Sequence, residues 1–383
     1  VIRYSLILLL LVLVVFSGGV EAKEYPDLGL QAKSAILMDS LSGQILYAHN
    51  EHESRAPASI TKIMTLVVAL EAVREGKVSL EDEVSASFEA TSYGGTQIWL
   101  EPGETMSLYD LLMAVAVGSA NDAAVAVAEH IAGAQENYVE LMNIKAKQIG
   151  MKNTQFRNVH GLDAQGHYST AYDIALLSRY ALLNLPELLD YTDNWEYRVR
   201  QGTEIETWLV NYNKLLRRYD GADGLKTGFT NSAGHSVSAT AVRGDTRLIA
   251  VILGGINSEN RFEEATKLLN YGFANFETVP IARKSDVFAT ISVSEGVRDS
   301  VEVVPLDDFG ITLVKGKKEE LTREVILPDR VKAPLVRGDI IGEISLKLDG
   351  EEVATVPLVA AEDVGRISFL GLLGKLLRSL WPF

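Results

Sequence analysis

Cysteine is missing altogether from the 383 residues. That excludes a disulfide framework, a thiolate metal site and a cysteine nucleophile, and it suits export without proving it. Basic residues are also scarce, with 36 Lys+Arg against 51 Asp+Glu and a net charge of -15. Such a surface offers no general attraction to nucleic acid or anionic lipid, so any membrane contact has to be local. Histidine is limited to six residues. His49 and His52 fall in a polar turn, and His160 and His167 flank a glycine-rich loop. They give poor support for a metal site, and no cofactor is expected.

The chain opens on an apolar run, residues 6–16, that is too short for a full membrane span of ~20 residues. Arg3 precedes it and small residues follow to Ala22. This is the order of a secretory signal peptide over residues 1–22, with an uncleaved anchor as the alternative. The length suits two compact units beyond it. We expect a main domain over 23–277, a small all-β domain over 278–365 and an amphipathic segment over 366–383.

Within the main domain, "KSAILMDSLSGQILYAHN" reads as two strands about a turn. Residues 59–74 carry apolar side chains around nearly the whole helical circumference, which calls for a buried helix. Residues 108–184 alternate helical runs with polar loops and form an α-rich subregion. Residues 224–255 predict three antiparallel strands with turns at 230–234 and 243–246, closed by the helical spacing of "RFEEATKLLNYGFANF". Beyond Thr278 short alternating segments predict a β-sandwich. In the tail, Lys375 and Arg378 share a polar face opposite leucines, Phe369 and Trp381, the pattern of a helix lying in a membrane interface. A terminal helix docked on protein is the alternative.

Three short motifs carry the chemistry. Ser59 and Lys62 stand at i and i+3, facing each other on one helix face. A neutral amine one turn away can take the proton of a serine hydroxyl and make it a nucleophile. For that, Lys62 must lose about 3.4 units from about 10.4, roughly 4 to 5 kcal/mol, supplied by burial and by a second cation nearby. The alternative is a charged Lys62 that only positions the serine. A Ser-x-x-Lys pair arises about once by chance in such a length, and Ser59 can equally be a helix N-cap. "GSAND" at 118–122 brings Ser119 and Asn121 to a break between two helical runs, where capping is the plain reading. "KTG" brings Lys226, Thr227 and Gly228 to the first of the late strands, where an edge-strand lysine with a glycine bulge is the plain reading.

The order Ser-x-x-Lys, Ser-x-Asn, Lys-Thr-Gly, with 60 residues from Ser59 to Ser119 and 107 more to Lys226, resembles the penicillin-recognising serine enzymes. "NVHGLDAQGHYSTAYDIA" and "DGLKTGFTNSAGHSVSAT" look like the low-molecular-mass D-alanyl-D-alanine carboxypeptidases. The resemblance implies a mixed α/β (α+β) fold of the β-lactamase/DD-peptidase type: an antiparallel sheet with flanking helices, an α-rich subdomain, a C-terminal all-β domain and a tail helix. It implies Ser59 as acylated nucleophile, Lys62 as general base, and Ser119 with Asn121 on the opposite wall. Lys226 and Thr227, with Arg261 as an aid, would bind the substrate carboxylate. Gly228 would let the substrate lie along the strand, and the Phe229 amide would join that of Ser59 as oxyanion donor. The implied partners are a peptidoglycan stem peptide ending in D-Ala-D-Ala, β-lactams, and a membrane surface reached through the tail, on the outer face of the cell membrane. Three competing readings are a class A β-lactamase, an endopeptidase and a noncatalytic cell-wall scaffold. The first needs a deacylating glutamate, for which Glu187 of "LPELLD" is poorly spaced.

Overall fold

The computed structural model describes residues 25–371 and 373. The signal-peptide expectation lies outside them, as does most of the tail. The chain divides into two compact units, Tyr25–Thr278 and a second beginning at Val279.

In the first unit, five strands form an antiparallel sheet in the order Ile45–His49, Ser34–Asp39, Thr246–Gly255, Gly234–Arg243, Ala222–Thr230. The turn after Ser34–Asp39 closes on Asp39, whose carboxylate accepts the Ser42 amide at 2.7 Å. Strand side chains alternate between two cores. Ile36 and Met38 join the helical side, while Ala35 and Leu37 pack toward the helix Ser258–Asn275 with Phe262 and Leu268. Both faces are covered, which explains why "SAILM" is apolar without a break.

The helix Lys62–Arg74 runs through the larger core, and Ile63, Met64, Leu66 and Val67 on different sides of it are all buried. Each of these side chains contributes about 1.5–3 kcal/mol by leaving water. Around it lie Leu108–Ala116, Asn121–Ala132, Gln135–Ile149 and Ala171–Asn184. Ser107 and Thr170 cap two of these by accepting the amides of Asp110 and Asp173. Gly133, at φ +77°, ends the helix Asn121–Ala132. The hairpin Glu196–Val199 with Thr207–Val210 was not legible as strands beforehand, yet it forms one wall of the site described below.

The second unit holds a six-stranded sheet in which Ile340–Leu348 pairs with Glu351–Ala360. Ile344, Leu346, Val356 and Leu358 turn to its core with Val303 and Ile291. The all-β expectation therefore holds, but the ten-residue strand Glu351–Ala360 was missed because its charged start disguises the alternation. At the described start of the tail, residues 369–371 are helical, with Phe369 and Leu370 exposed.

Candidate active site

Ser59 does not open an α-helix. It sits in a 3-10 turn, Ala58–Thr61, and the α-helix starts at Lys62. Neither Pro57 nor Thr61, the two cap residues, makes a side-chain cap bond. The N-cap reading of Ser59 is thereby removed. Ala58 is held at φ +48°, a left-handed conformation that costs about 1–3 kcal/mol in a non-glycine residue and recurs at functional sites. Two glycines let the chain crowd this turn. A Cβ on Gly161, at φ +92°, would lie 1.9 Å from the Ala58 carbonyl oxygen, and one on Gly228 would lie 3.0 Å from the Ser59 nitrogen. Gly228 therefore brings its strand against the nucleophile turn, a closer constraint than the room for substrate expected from sequence.

Lys62 is fully buried. Its Nζ lies 3.2 Å from Ser59 Oγ, 2.6 Å from Asn121 Oδ1 and 2.7 Å from the His160 carbonyl oxygen. None of the three is a carboxylate. Burial, reinforced by the charge of Lys226 and opposed by Asp122, holds the amine well below its ordinary pKa. A neutral amine has two N–H bonds and one lone pair. With two carbonyl oxygens taking the N–H bonds, the lone pair is left for the Ser59 hydroxyl.

Asn121 is fixed at both ends, because its Nδ2 donates to the Gly94 carbonyl at 2.7 Å. Gly95 makes room for it, since a Cβ there would approach Nδ2 to 2.8 Å. Ser119 is buried at φ +57°. Its hydroxyl has no hydrogen bond among the described residues, and the geometry does not join it to Lys62. The N-cap of the following helix is Ala120, which has no side-chain cap bond. Capping thus does not account for Ser119 or Asn121. Asp122 does different work: its buried carboxylate accepts the amides of Ile98, Leu100 and Ala123 at 2.9–3.2 Å and pins the loop that walls the cleft.

Lys226 lies on Ala222–Thr230, the edge strand of the sheet, but only 2% of it is exposed. A lysine that protects a sheet edge points into water, so that reading fails. Its Nζ makes a long hydrogen bond to the Thr227 carbonyl at 3.5 Å, and burial together with Arg261 lowers its pKa to about 7. Arg261 is also buried, its pKa pushed down to about 10 by that burial. Its Nη1 donates to the carbonyls of Gly228 and Ser236 at 3.1 and 3.3 Å. It therefore braces the strand as well as adding charge. Thr227 is buried beside Lys226, and the Phe229 ring is half exposed, stacked on His235 at 4.3 Å.

The cleft over these groups has a volume of about 540 Å³ and includes Ser59, Asn121, Gly161 and Phe229 in its walls. Sequence reasoning missed the support behind it. His167 accepts the Arg157 amide on Nδ1 at 2.9 Å, so Nε2 carries the proton that it donates to Thr61 Oγ1 at 2.9 Å. His160 supplies the carbonyl that holds Lys62, while its own ring is kept neutral by burial, which takes its pKa to about 3. Both histidines thus hold up the site from behind. Glu187 is bound by Arg74 through both oxygens at 2.7 Å and does not line the cleft. No cluster of metal-ligating residues occurs among the described residues.

Comparison with known proteins gives a consistent result. Residues 20–257 match the family model for D-alanyl-D-alanine carboxypeptidase, and residues 276–366 match the penicillin-binding protein 5 C-terminal domain. The chain is 38% identical over 356 residues to D-alanyl-D-alanine carboxypeptidase DacF of Bacillus subtilis, covering 93% of this chain and 91% of that one. It is 36% identical to DacC of Escherichia coli, over 89% of this chain and 86% of that one. Among solved structures, penicillin binding protein 5 from Haemophilus influenzae superposes with a TM-score of 0.76 at 35% identity, covering 90% of this chain and 99% of that one. Penicillin-binding protein D2 from Listeria monocytogenes, in its ampicillin-bound form, gives a TM-score of 0.57 at 33% identity, covering 65% and 100%.

Proposed function

Because the chain belongs to the D-alanyl-D-alanine carboxypeptidase family, we propose that Ser59 is its nucleophile and that Lys62, neutral at the working pH, is the base that activates it. The enzyme is a serine peptidase that removes the terminal D-alanine of peptidoglycan stem peptides in cell-wall maturation. The observation that carries the assignment of roles is the set of three oxygens around Lys62 Nζ, two carbonyls and the Ser59 hydroxyl, with no carboxylate among them.

Ser59 Oγ loses its proton to Lys62 as it attacks the carbonyl of the penultimate D-alanine. The Ser59 and Phe229 amides receive the oxyanion. The terminal D-alanine leaves as its nitrogen takes a proton, with Ser119 as relay, and water then hydrolyses the Ser59 ester. Lys226, Thr227 and Arg261 hold the terminal carboxylate. β-Lactams acylate the same serine, a reading supported by the ampicillin- and cefotaxime-bound forms of the Listeria relative. Labelling with a fluorescent penicillin tests this: the wild type takes up one adduct, mapped by mass to Ser59, and Ser59→Ala takes up none. An unlabelled wild type would favour the noncatalytic scaffold.

Export by residues 1–22 and peripheral membrane attachment by residues 366–383 belong to the same proposal, the first read from the basic start and apolar run of the sequence, the second supported by the exposed Phe369 and Leu370. Deleting 366–383 is expected to release the protein from anionic vesicles while D-alanine release from a soluble pentapeptide continues. A truncated protein that stays bound overturns the anchor.

A further inference from the structure

The cleft has a second character away from its reacting end. Lys62 and Lys226 are buried behind the seryl oxygen, and none of the side chains that form the rest of the cleft wall is charged. Aromatic rings stand there instead: Trp99, Trp208, Tyr212 and Phe229, all half exposed or more. Trp99 is 71% exposed and held at φ +53°. A large side chain in that conformation is a backbone outlier, and it persists here because the loop is gripped from two sides. Asp122 takes the amides of Ile98 and Leu100, on either side of Trp99. Arg200, itself tied to Glu104, donates to the carbonyls of Ile98 and Trp99 at 3.0 and 3.4 Å. The chain accepts strain to present this ring. Trp208, 59% exposed, stands on the adjoining hairpin, one side of it under Arg198, which is paired with Glu206.

The direction of the substrate follows from the site. A peptide with its carboxylate at Lys226 and Thr227 and its reacting carbonyl at Ser59 pairs antiparallel to Ala222–Thr230. Its preceding residues then run past Phe229 and Thr230 into the aromatic part of the cleft. This inference rests on the carboxypeptidase reading and deepens it. We infer that Trp99, Trp208 and Tyr212 form a subsite for the side chain of the residue before D-Ala-D-Ala, and that they select a long aliphatic chain ending in an ammonium group and reject one ending in a free carboxylate. Tryptophan and tyrosine faces attract a cation through the ring quadrupole and repel a carboxylate by the same field. Asp163, which accepts from Thr230 and Ser232 at that end, adds negative charge of the same sense.

The test is kcat/KM for D-alanine release from three N-acetyl tripeptides, X-D-Ala-D-Ala, with X as L-lysine, L-norleucine or L-2-aminoadipate. Lysine is expected to lead aminoadipate by about tenfold or more and norleucine by a few-fold, mainly through KM. In Trp99→Asn, where asparagine tolerates the left-handed backbone, the lysine advantage should shrink toward one. Trp208→Leu supplies the same reading on the hairpin, and labelling by fluorescent penicillin reports that each variant is folded. Aminoadipate cleaved as well as lysine, or a lysine advantage untouched in both variants, overturns the subsite while leaving the carboxypeptidase intact. No release from any of the three overturns both.

Discussion

Two lysines meet the same helix, Lys62–Arg74, at its opposite ends. At the far end Lys145 Nζ reaches Glu71 at 2.7 Å and Tyr180 at 3.4 Å. Partial burial works against its charge, but Glu71 outweighs it, and the pKa is raised. Lys62, at the near end, is buried more deeply and has only carbonyl and hydroxyl oxygens around it, and its pKa falls. One carboxylate makes the difference between a pin and a base. A buried cation given an anion becomes structural, while the same cation given neutral acceptors is ready to lose its proton.

Supplying the missing anion should break the contrast most sharply. Asn121→Asp places a carboxylate 2.6 Å from Lys62, which favours the ammonium. Acylation at pH 7 is expected to fall by about 100-fold or more, in the range of a lost general base. The sign can be checked: raising the pH deprotonates Lys62 and should recover part of the rate. A flat, dead profile would indicate that Asn121 acts only on the substrate.

Lys226 sharpens the comparison from the other side, since it must keep its proton to bind a carboxylate. Its pKa is lowered to about 7 in the free enzyme. Binding is thus favoured below that value and weakened above it. kcat/KM is expected to fall by up to about tenfold per pH unit above neutrality, carried by KM, with Arg261 still charged. Lys226→Arg should move that limb to higher pH. A KM unchanged from pH 6 to 9 would show that Lys226 does not hold the carboxylate.

The smallest effect belongs to the pin. Glu71→Gln removes the partner of a partly exposed pair and is expected to cost about 1 kcal/mol in urea denaturation, with penicillin acylation unaltered. A comparable loss of acylation would mean that the two ends of the helix are coupled.

The residues that touch each other across short spans were legible from the sequence. Ser59 and Lys62 are one turn apart, and the three late strands advertise themselves by alternation between glycine turns. The residues that make the pair reactive were not. The His160 carbonyl is 98 positions from Lys62, and nothing in "NVH" signals a main-chain acceptor. Asp122 ends "GSAND" with no signal of its partners, and only the folded loop reveals that it serves Ile98 and Leu100. Trp99 was unremarked because left-handed backbone is imposed by Asp122 and Arg200 from elsewhere in the chain. The hairpin Glu196–Val199 with Thr207–Val210 was obscured by its charged residues, which face outward.

The strand Ala222–Thr230 ends the sheet, and among the described residues one of its flanks has no neighbouring strand. Such borders are where chains elsewhere zip together into fibres. Here Gly224–Gly228 is sunk below the surface, within reach of a single slender guest and shielded from the broad flank of another sheet. The recess that admits a substrate is therefore also the molecule's safeguard against polymerising along its own open border.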